Sequence, residues 1–104
     1  MRKIIYQNPN APLSYQHKEF LDLLKNKFPD YEEMGARSVS GSGSITEIFN
    51  DLFILLPEMG VGIAYSYKMK YKGEDIWDRS NVRIELIGKE EKVGEVEKII
   101  LGKA

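Results

Sequence analysis

The sequence predicts a single α+β domain in which helices pack on a small antiparallel sheet. Residues 61–72, VGIAYSYKMKYK, alternate without a break between apolar or aromatic side chains and small or cationic ones, as a long half-buried strand does. Residues 82–87 alternate in the same way and are expected to return antiparallel beside that strand. Residues 14–28 carry apolar side chains at helical spacing. The helices are expected on the aromatic face of the sheet.

Length and composition are those of one folded domain, assigned to 1–104. With 42% hydrophobic and 30% charged residues, the chain can form both a core and a solvated surface. It has no cysteine, which excludes a disulfide framework and a thiolate metal site. Its first apolar run is too short for a signal peptide, and no stretch supplies the about 20 apolar residues of a membrane span. A soluble, cytoplasmic protein without a membrane partner is expected.

Charged side chains are spread evenly along the chain, which has a net charge of −1. Residues 1–52 carry 6 basic and 7 acidic side chains, and residues 53–104 carry 9 of each. This balance provides no global basic field for nucleic acid. Any site for a polyanion would therefore be local.

The beginning of the chain is predicted to hold a strand and a helix. Residues 3–6 form a short apolar strand that joins the sheet, either at an edge or beside the long strand. Two prolines in 8–12 end it. Ser14 provides an N-cap for the helix over 14–28, and Pro29 ends that helix.

Residues 30–44 are predicted to be a connection. The acidic segment 30–34 reads as a connector, and 36–40 is compatible with a short strand. Residues 38–44, SVSGSGS, have the composition of a flexible loop. The same composition is used in engineered linkers, so both origins stay open for this loop.

A second helix is predicted over 45–56. Ser44 and Glu47 have the spacing of a capping box. The expected inner stripe consists of Ile45, Ile48, Phe49, Leu52, Leu55 and Leu56. Pro57 and Gly60 then turn the chain into the long strand.

The C-terminal segment has two interpretations. Apolar residues between 93 and 100 fit a helix over 89–101 that is rich in glutamate and lysine. The β-branched content also fits a strand over 96–101. The helix is favoured.

The glycine-serine loop is a candidate anion site. Backbone N–H groups of Ser42, Gly43 and Ser44, placed before a helix, would cradle a phosphate or carboxylate. The lysine of a phosphate-binding P-loop is missing, as are the further glycine and the acidic residue of a dinucleotide fingerprint. A plain flexible loop is the simpler interpretation.

Aromatic and cationic residues along 61–72 suggest a nucleic-acid site. Bases stack on aromatic rings while cations pair with phosphates. Tyrosines and lysines on one strand project from opposite faces, however, so they cannot serve one surface together. Core tyrosines and a solvated lysine row are the simpler interpretation, with Glu85 facing the lysines. The nucleic-acid alternative would use Lys68, Lys70, Lys72, Arg79 and Arg83.

The connection over 73–81 is the predicted contact with a partner protein. It holds the single tryptophan of the chain among charged residues, a composition typical of binding hot spots on loops. The competing interpretation is that Ile76 and Trp77 fold back over the core. The candidate partner-binding residues are Glu74, Asp75, Ile76, Trp77, Asp78 and Arg79.

No residue is predicted to be catalytic or to bind a metal or cofactor. His17, the single histidine, lies on the apolar side of the first predicted helix and is expected to be a packing residue. One histidine without cysteine argues against a zinc site. Neighbouring carboxylates such as Glu32 and Glu33 point apart in regular structure, so they form no catalytic pair.

Three functional classes follow from these patterns. The leading one is a non-catalytic protein-binding module, such as an inhibitor, an immunity factor or an accessory factor, whose partner is another protein. The alternative is a nucleic-acid-binding module. The second alternative is a small metal-independent nuclease or nucleotide-handling enzyme that uses tyrosine, lysine, arginine and His17.

Overall fold

The computed structural model shows a five-stranded antiparallel sheet with two helices, which confirms the α+β class. It describes the backbone of residues 1–9, 15, 17–40, 45–72 and 80–102, and the side chains of 1–9, 15, 18–35, 51–68 and 81–102. The elements in chain order are β1 (Arg2–Asn8), α1 (His17–Lys27), β2 (Glu32–Ser40), β3 (Ile45–Leu56), β4 (Val61–Lys72), β5 (Ser80–Ile87) and α2 (Glu90–Leu101).

The strands lie in the order β1-β5-β4-β3-β2, and every neighbouring pair is antiparallel. Strands β2 to β5 form a meander, in which sequential strands are neighbours. Helix α1 connects β1 at one edge to β2 at the opposite edge. The predicted strand over 3–6 is therefore an edge strand that pairs with β5.

The central strand β4 has the predicted bounds and the predicted orientation. Tyr65 and Tyr67 are buried, whereas Lys68 is exposed. All twelve residues of β4 have partners in β3. The strand over 82–87 is also confirmed, as β5, and pairs with β4 on its other side. The side chains of Met69 and Lys70 lie outside the described residues.

The helix predicted over 45–56 is wrong, because this segment is strand β3. Its buried residues Leu52, Ile54 and Leu56 alternate with the less buried Phe53 and Leu55, which is the period of a strand. A segment that is apolar on both sides fits both periods, so the helical stripe was misleading. As a strand, this segment pairs with β4 along its whole length and covers what would otherwise be an open edge of the long strand.

The turn between β3 and β4 closes this long hairpin. The Gly60 N–H donates to the Leu56 carbonyl at 2.9 Å. Gly60 has a φ of +64°, a left-handed conformation that glycine adopts at little cost. A four-residue connection ending in such a glycine is a common hairpin loop. This turn was the sequence signal that linked 45–56 to the long strand.

Strand β2 and helix α2 occupy the two segments for which the sequence leaves alternatives open. Strand β2 begins at Glu32, earlier than the short strand over 36–40, and has an irregularity in register between Glu33 and Gly35. The C-terminal segment is helix α2, which confirms the favoured interpretation; its buried residues are Val93, Val96 and Ile100. The flexible loop predicted over 38–44 is wrong for residues 38–40, which are the end of β2 and pair with β3. Residues 41–44 lie outside the described part of the chain.

Both described helices cover the same face of the sheet, the aromatic face, as expected. In the core, residues of the two helices pack on strand residues. These strand residues are paired with one another across the sheet. Tyr65, for example, pairs with both Leu52 and Ile84, and its ring stacks on Phe20 of α1 at 4.6 Å between ring centroids. The core residues of the helices are Phe20, Leu24, Phe28, Val93, Val96 and Ile100.

Candidate site on the open face of the sheet

The other face of the sheet, called the open face below, has no described helix or strand over it. Its residues alternate along each strand with those of the core and align in rows across the sheet. One row consists of Gly35, Phe53, Ala64, Glu85 and Ile4. The next row contains Asp51, Ser66, Arg83 and Gln7. The open face is the side of β4 that carries Lys68.

A groove crosses this face beside Phe53. It has a volume of about 420 Å³ and is lined by Gly35, Asp51, Leu52, Phe53, Ala64, Tyr65 and Ser66. The depression exists because glycine, alanine and serine have short side chains at the positions that face solvent. Phe53 forms one wall and is 42% exposed. This face therefore offers a large aromatic surface next to a cavity.

A polar contact lies at one end of the groove. The Ser66 hydroxyl donates a hydrogen bond to Asp51 Oδ1 at 2.8 Å across the β3–β4 pair. The bond occupies one oxygen of the carboxylate and orients the serine. The groove is therefore apolar at Ala64 and has hydrogen-bonding groups at Ser66, the next open-face position along β4.

A second, smaller depression, called the polar pocket below, begins at Ser66. It has a volume of about 130 Å³ and is lined by Gln7, Ser66, Lys68, Asn81 and Arg83. These side chains come from three adjacent strands: β1, β4 and β5. Two amides, an ammonium and a guanidinium supply many N–H donors to a small volume, while the Ser66 hydroxyl already donates its proton to Asp51.

Glu85 neutralises part of the cationic charge nearby. Arg2 Nη2 lies 2.9 Å from Glu85 Oε1, and Arg83 Nη2 lies 3.3 Å from Glu85 Oε2. The sequence predicted that Glu85 would face the lysines of β4. It lies on the same face as Lys68 but contacts these two arginines, because the register places it opposite Ala64 and Ile4.

A cluster of tyrosines, in which Tyr65 is buried and Tyr6 and Tyr15 are partly buried, is a further polar feature of the structure. The Tyr65 hydroxyl donates to the Tyr15 carbonyl at 2.7 Å, and Tyr15 stacks on Tyr6 with ring centroids 4.1 Å apart. Burial raises the pKa of Tyr65, and the neighbouring Tyr67 and Glu19 add to this. Burial, together with Tyr6, also raises the pKa of Tyr15. These hydroxyls stay protonated and support packing.

The structure brings together some of the residues predicted from sequence. Lys68 and Arg83 line the same pocket. The backbone positions of Lys70 and Lys72 continue β4, and their side chains lie outside the described residues. The same holds for the side chain of His17, at the first position of α1. Arg79 and the rest of the proposed partner-binding set, Glu74, Asp75, Ile76, Trp77 and Asp78, also lie outside them.

The proposed anion site at Ser42, Gly43 and Ser44 lies outside the described residues as well. Its physical premise is wrong, however, because the following segment is β3 and supplies no helix N-terminus.

Among the described residues, no group of three histidine, cysteine or acidic side chains could hold a metal ion. Of the described helices, neither α1 nor α2 is long and apolar enough to span a membrane.

Phe53 was missed as a functional candidate. The helical interpretation of 45–56 placed it in a buried helix, whereas a strand sends Phe53 and its neighbours Leu52 and Ile54 to opposite faces. The signal that could have found it is the content of β-branched and aromatic residues in 45–56, directly before a hairpin turn at Pro57–Gly60 and a long strand. Comparison with protein-family models, curated proteins and solved structures found no match to the chain.

Proposed function

We propose that this chain is a non-catalytic protein-binding module, an inhibitor, immunity factor or accessory factor, that binds its partner through the open face. The observation that carries the proposal is Phe53 on β3, which is 42% exposed on a face that no described helix or strand covers. Aromatic anchors beside a cavity are typical of the hot spots that dominate protein–protein affinity.

The surroundings of Phe53 support this interpretation. Single exposed apolar side chains are normal on protein surfaces. Here, Phe53 shares its row with Ala64 and with Ile4, which is 44% exposed. The adjacent row carries Asp51 and Arg83. Gly35, Phe53 and Ala64 form an apolar patch, and Glu85 separates this patch from Ile4. Charged side chains of both signs around an apolar patch are the usual composition of a non-obligate interface.

One observation favours the nucleic-acid alternative. Phe53 shares the open face with Lys68 and Arg83, so an aromatic ring and cations do occupy one surface, which the tyrosines of β4 could not achieve. Two carboxylates, Asp51 and Glu85, lie on the same face and would repel a phosphate backbone. The net charge of −1 gives no compensating attraction. The protein partner is therefore the better proposal.

The test is affinity capture from cells that express the protein, using the wild type, Phe53→Ser and Ile99→Ser. Ile99 is a matched control because it is also exposed, at 38%, but lies on α2. Each lysate is divided into nuclease-treated and untreated portions. A partner captured by wild type and Ile99→Ser is then purified and its dissociation constant measured.

We expect Phe53→Ser to weaken that binding by about 30-fold or more, the effect of a hot-spot truncation of about 2 kcal/mol. Equal affinity of wild type and Phe53→Ser would contradict the proposal. Capture that disappears after nuclease treatment would favour the nucleic-acid alternative. A wild-type homodimer that Phe53→Ser dissociates, measured by sedimentation, would instead identify the partner as a second copy.

A further inference from the structure

The polar pocket has a composition suited to an anion. Of its five described lining residues, Gln7, Lys68, Asn81 and Arg83 have N–H groups that can donate to a ligand, and none of the five is a carboxylate. The fifth, Ser66, donates its hydroxyl proton to Asp51 Oδ1. The register explains why they converge: Arg83 lies opposite both Ser66 and Gln7, and Lys68 lies opposite Asn81. The pocket is therefore part of the sheet, and its position is fixed by three strands.

Arg83 has N–H groups in addition to the one that contacts Glu85, and these can donate to a ligand. Its Nη2 contacts Glu85 Oε2 at 3.3 Å, while Arg2 contacts the other oxygen of that carboxylate at the shorter distance of 2.9 Å. A guanidinium has five N–H donors, and the Arg83 side chain is 44% exposed. An incoming carboxylate could accept two of those N–H groups side by side.

The pocket adjoins the groove at Phe53. Ser66 lines both depressions, and its position follows that of Ala64 by two residues along β4. This is a separation of about 7 Å. Two residues of an extended peptide separate side chains on one face by the same distance. Phe53 and Arg83 lie on the strands on either side of β4, so the two ligand side chains must also reach about 5 Å outward in opposite directions. One extended segment lying along β4 could thus place an apolar side chain in the groove and an acidic side chain in the pocket.

We propose that the polar pocket binds a carboxylate of the partner protein, while an apolar residue two positions away in the same segment contacts Phe53. This proposal rests on the proposed function and specifies the chemistry of the partner. Charge favours it: Lys68 and Arg83 attract one negative group, whereas Asp51 and Glu85 on either side disfavour a chain of phosphates. The planar guanidinium also matches a carboxylate in shape.

The probes are two terminally blocked tripeptides, acetyl-Leu-Gly-Glu-amide and acetyl-Leu-Gly-Gln-amide. They are titrated into ¹⁵N-labelled full-length protein, with the side-chain amides of Gln7 and Asn81 and the Nε–H of Arg83 observed by NMR. Inorganic phosphate and an eight-residue oligothymidylate are titrated at the same ionic strength. We expect the glutamate peptide to bind about tenfold more tightly than the glutamine peptide, as for one charge-assisted hydrogen bond.

Two variants provide the controls. Arg83→Gln should abolish the preference for glutamate over glutamine. Arg2→Gln should preserve it, because Arg2 shares Glu85 with Arg83 but does not line the pocket. Phe53→Ser should weaken the binding of both peptides and leave the ratio of their affinities unchanged.

Equal binding of the two peptides, or no shift at their solubility limit, would overturn the proposal. Tighter binding of phosphate or oligothymidylate would also overturn it, in favour of a phosphate ligand. A captured partner that depends on Phe53 but not on Arg83 would refute the carboxylate contact and leave the proposed function standing. The absence of any Phe53-dependent partner would refute the proposed function whatever the peptides do.

Discussion

The ring of Phe53 lies over Gly62 on the open face. Its Cζ atom is 3.1 Å from the position that a Cβ atom would take at residue 62. Phe53 pairs with Ala64, so the ring reaches diagonally across the β3–β4 pair. A glycine inside a strand lacks side-chain packing, and a cross-strand aromatic ring can supply it. Gly62 therefore determines the position of the Phe53 ring, which forms one wall of the groove.

Gly62→Ala should displace the Phe53 ring with little change in stability. The added methyl group requires the ring to move by a few tenths of an ångström, and an exposed ring can do so. Loss of chain entropy in the unfolded state offsets part of the cost. We expect a change of less than about 1 kcal/mol in the free energy of unfolding, together with shifted Phe53 ring resonances. A large destabilisation would mean that the ring is held rigidly.

Leu52→Ala should lower the free energy of unfolding by about 2–5 kcal/mol, as for other buried leucines. Leu52 is 7% exposed and lies on the core face of β3. Phe53→Ala is the matched control, because the adjacent residue projects from the open face. Its cost should be clearly smaller, as judged by chemical denaturation. Equal costs for the two variants would contradict the strand alternation of β3.

Tyr65→Phe should cost about 1 kcal/mol near neutral pH, because it removes the hydrogen bond to the Tyr15 carbonyl. At alkaline pH we expect the wild type, not Tyr65→Phe, to have the lower free energy of unfolding. Burial raises the pKa of Tyr65 above its ordinary value of 10.0, so the unfolded chain releases this proton first. The stability contributed by neutral Tyr65 is fully present below pH 10 and is lost as the pH rises beyond it.

The wild type should therefore lose up to about 1.4 kcal/mol per pH unit more than Tyr65→Phe above pH 10. Denaturant unfolding of both proteins across this range measures the difference in slope. Parallel pH profiles would show that the Tyr65 hydroxyl titrates normally in the folded protein.

Gly94→Ala should stabilise the protein by about 0.5–1 kcal/mol. Gly94 lies within α2, and a Cβ atom there would have no atom within 4 Å outside the local backbone. Alanine loses less backbone entropy than glycine in a helix. Gly102→Ala is the opposite case, because Gly102 caps α2 with a φ of +67°, and it should be destabilising. Thermal melting of both variants would expose an error in either assignment.

Trp77→Ala tests the sequence-based prediction for the connection between β4 and β5. If Trp77 contacts a partner, the variant should weaken binding by about 2 kcal/mol or more and keep the unfolding midpoint. If Trp77 covers the core, the unfolding free energy should fall by about 3–5 kcal/mol instead. Denaturation and partner affinity, measured on the same protein, separate the two.

The sequence by itself determined the elements whose apolar periodicity fits a helix or a strand but not both. The alternation in 61–72 assigned Tyr65 and Tyr67 to the core and Lys68 to solvent, because a strand sends successive side chains to opposite faces. The helical spacing in 14–28 and Pro29 located α1. The helix over 89–101 also followed from spacing, although its β-branched residues left a strand open as the alternative.

The tertiary structure alone decided the outcome for 45–56 and, with it, the site. A segment with apolar residues on both sides satisfies the helical and the strand period together, so its local pattern has no unique solution. Pairing with β4 along all twelve residues favours the strand, because it satisfies backbone groups that would otherwise form an open edge. Only that pairing places Phe53 beside Ala64, and only the strand order brings Gln7 to Arg83. The first contact joins the two strands of a hairpin and the second joins strands from opposite ends of the chain. The periodicity within a single segment carries no information about either pair.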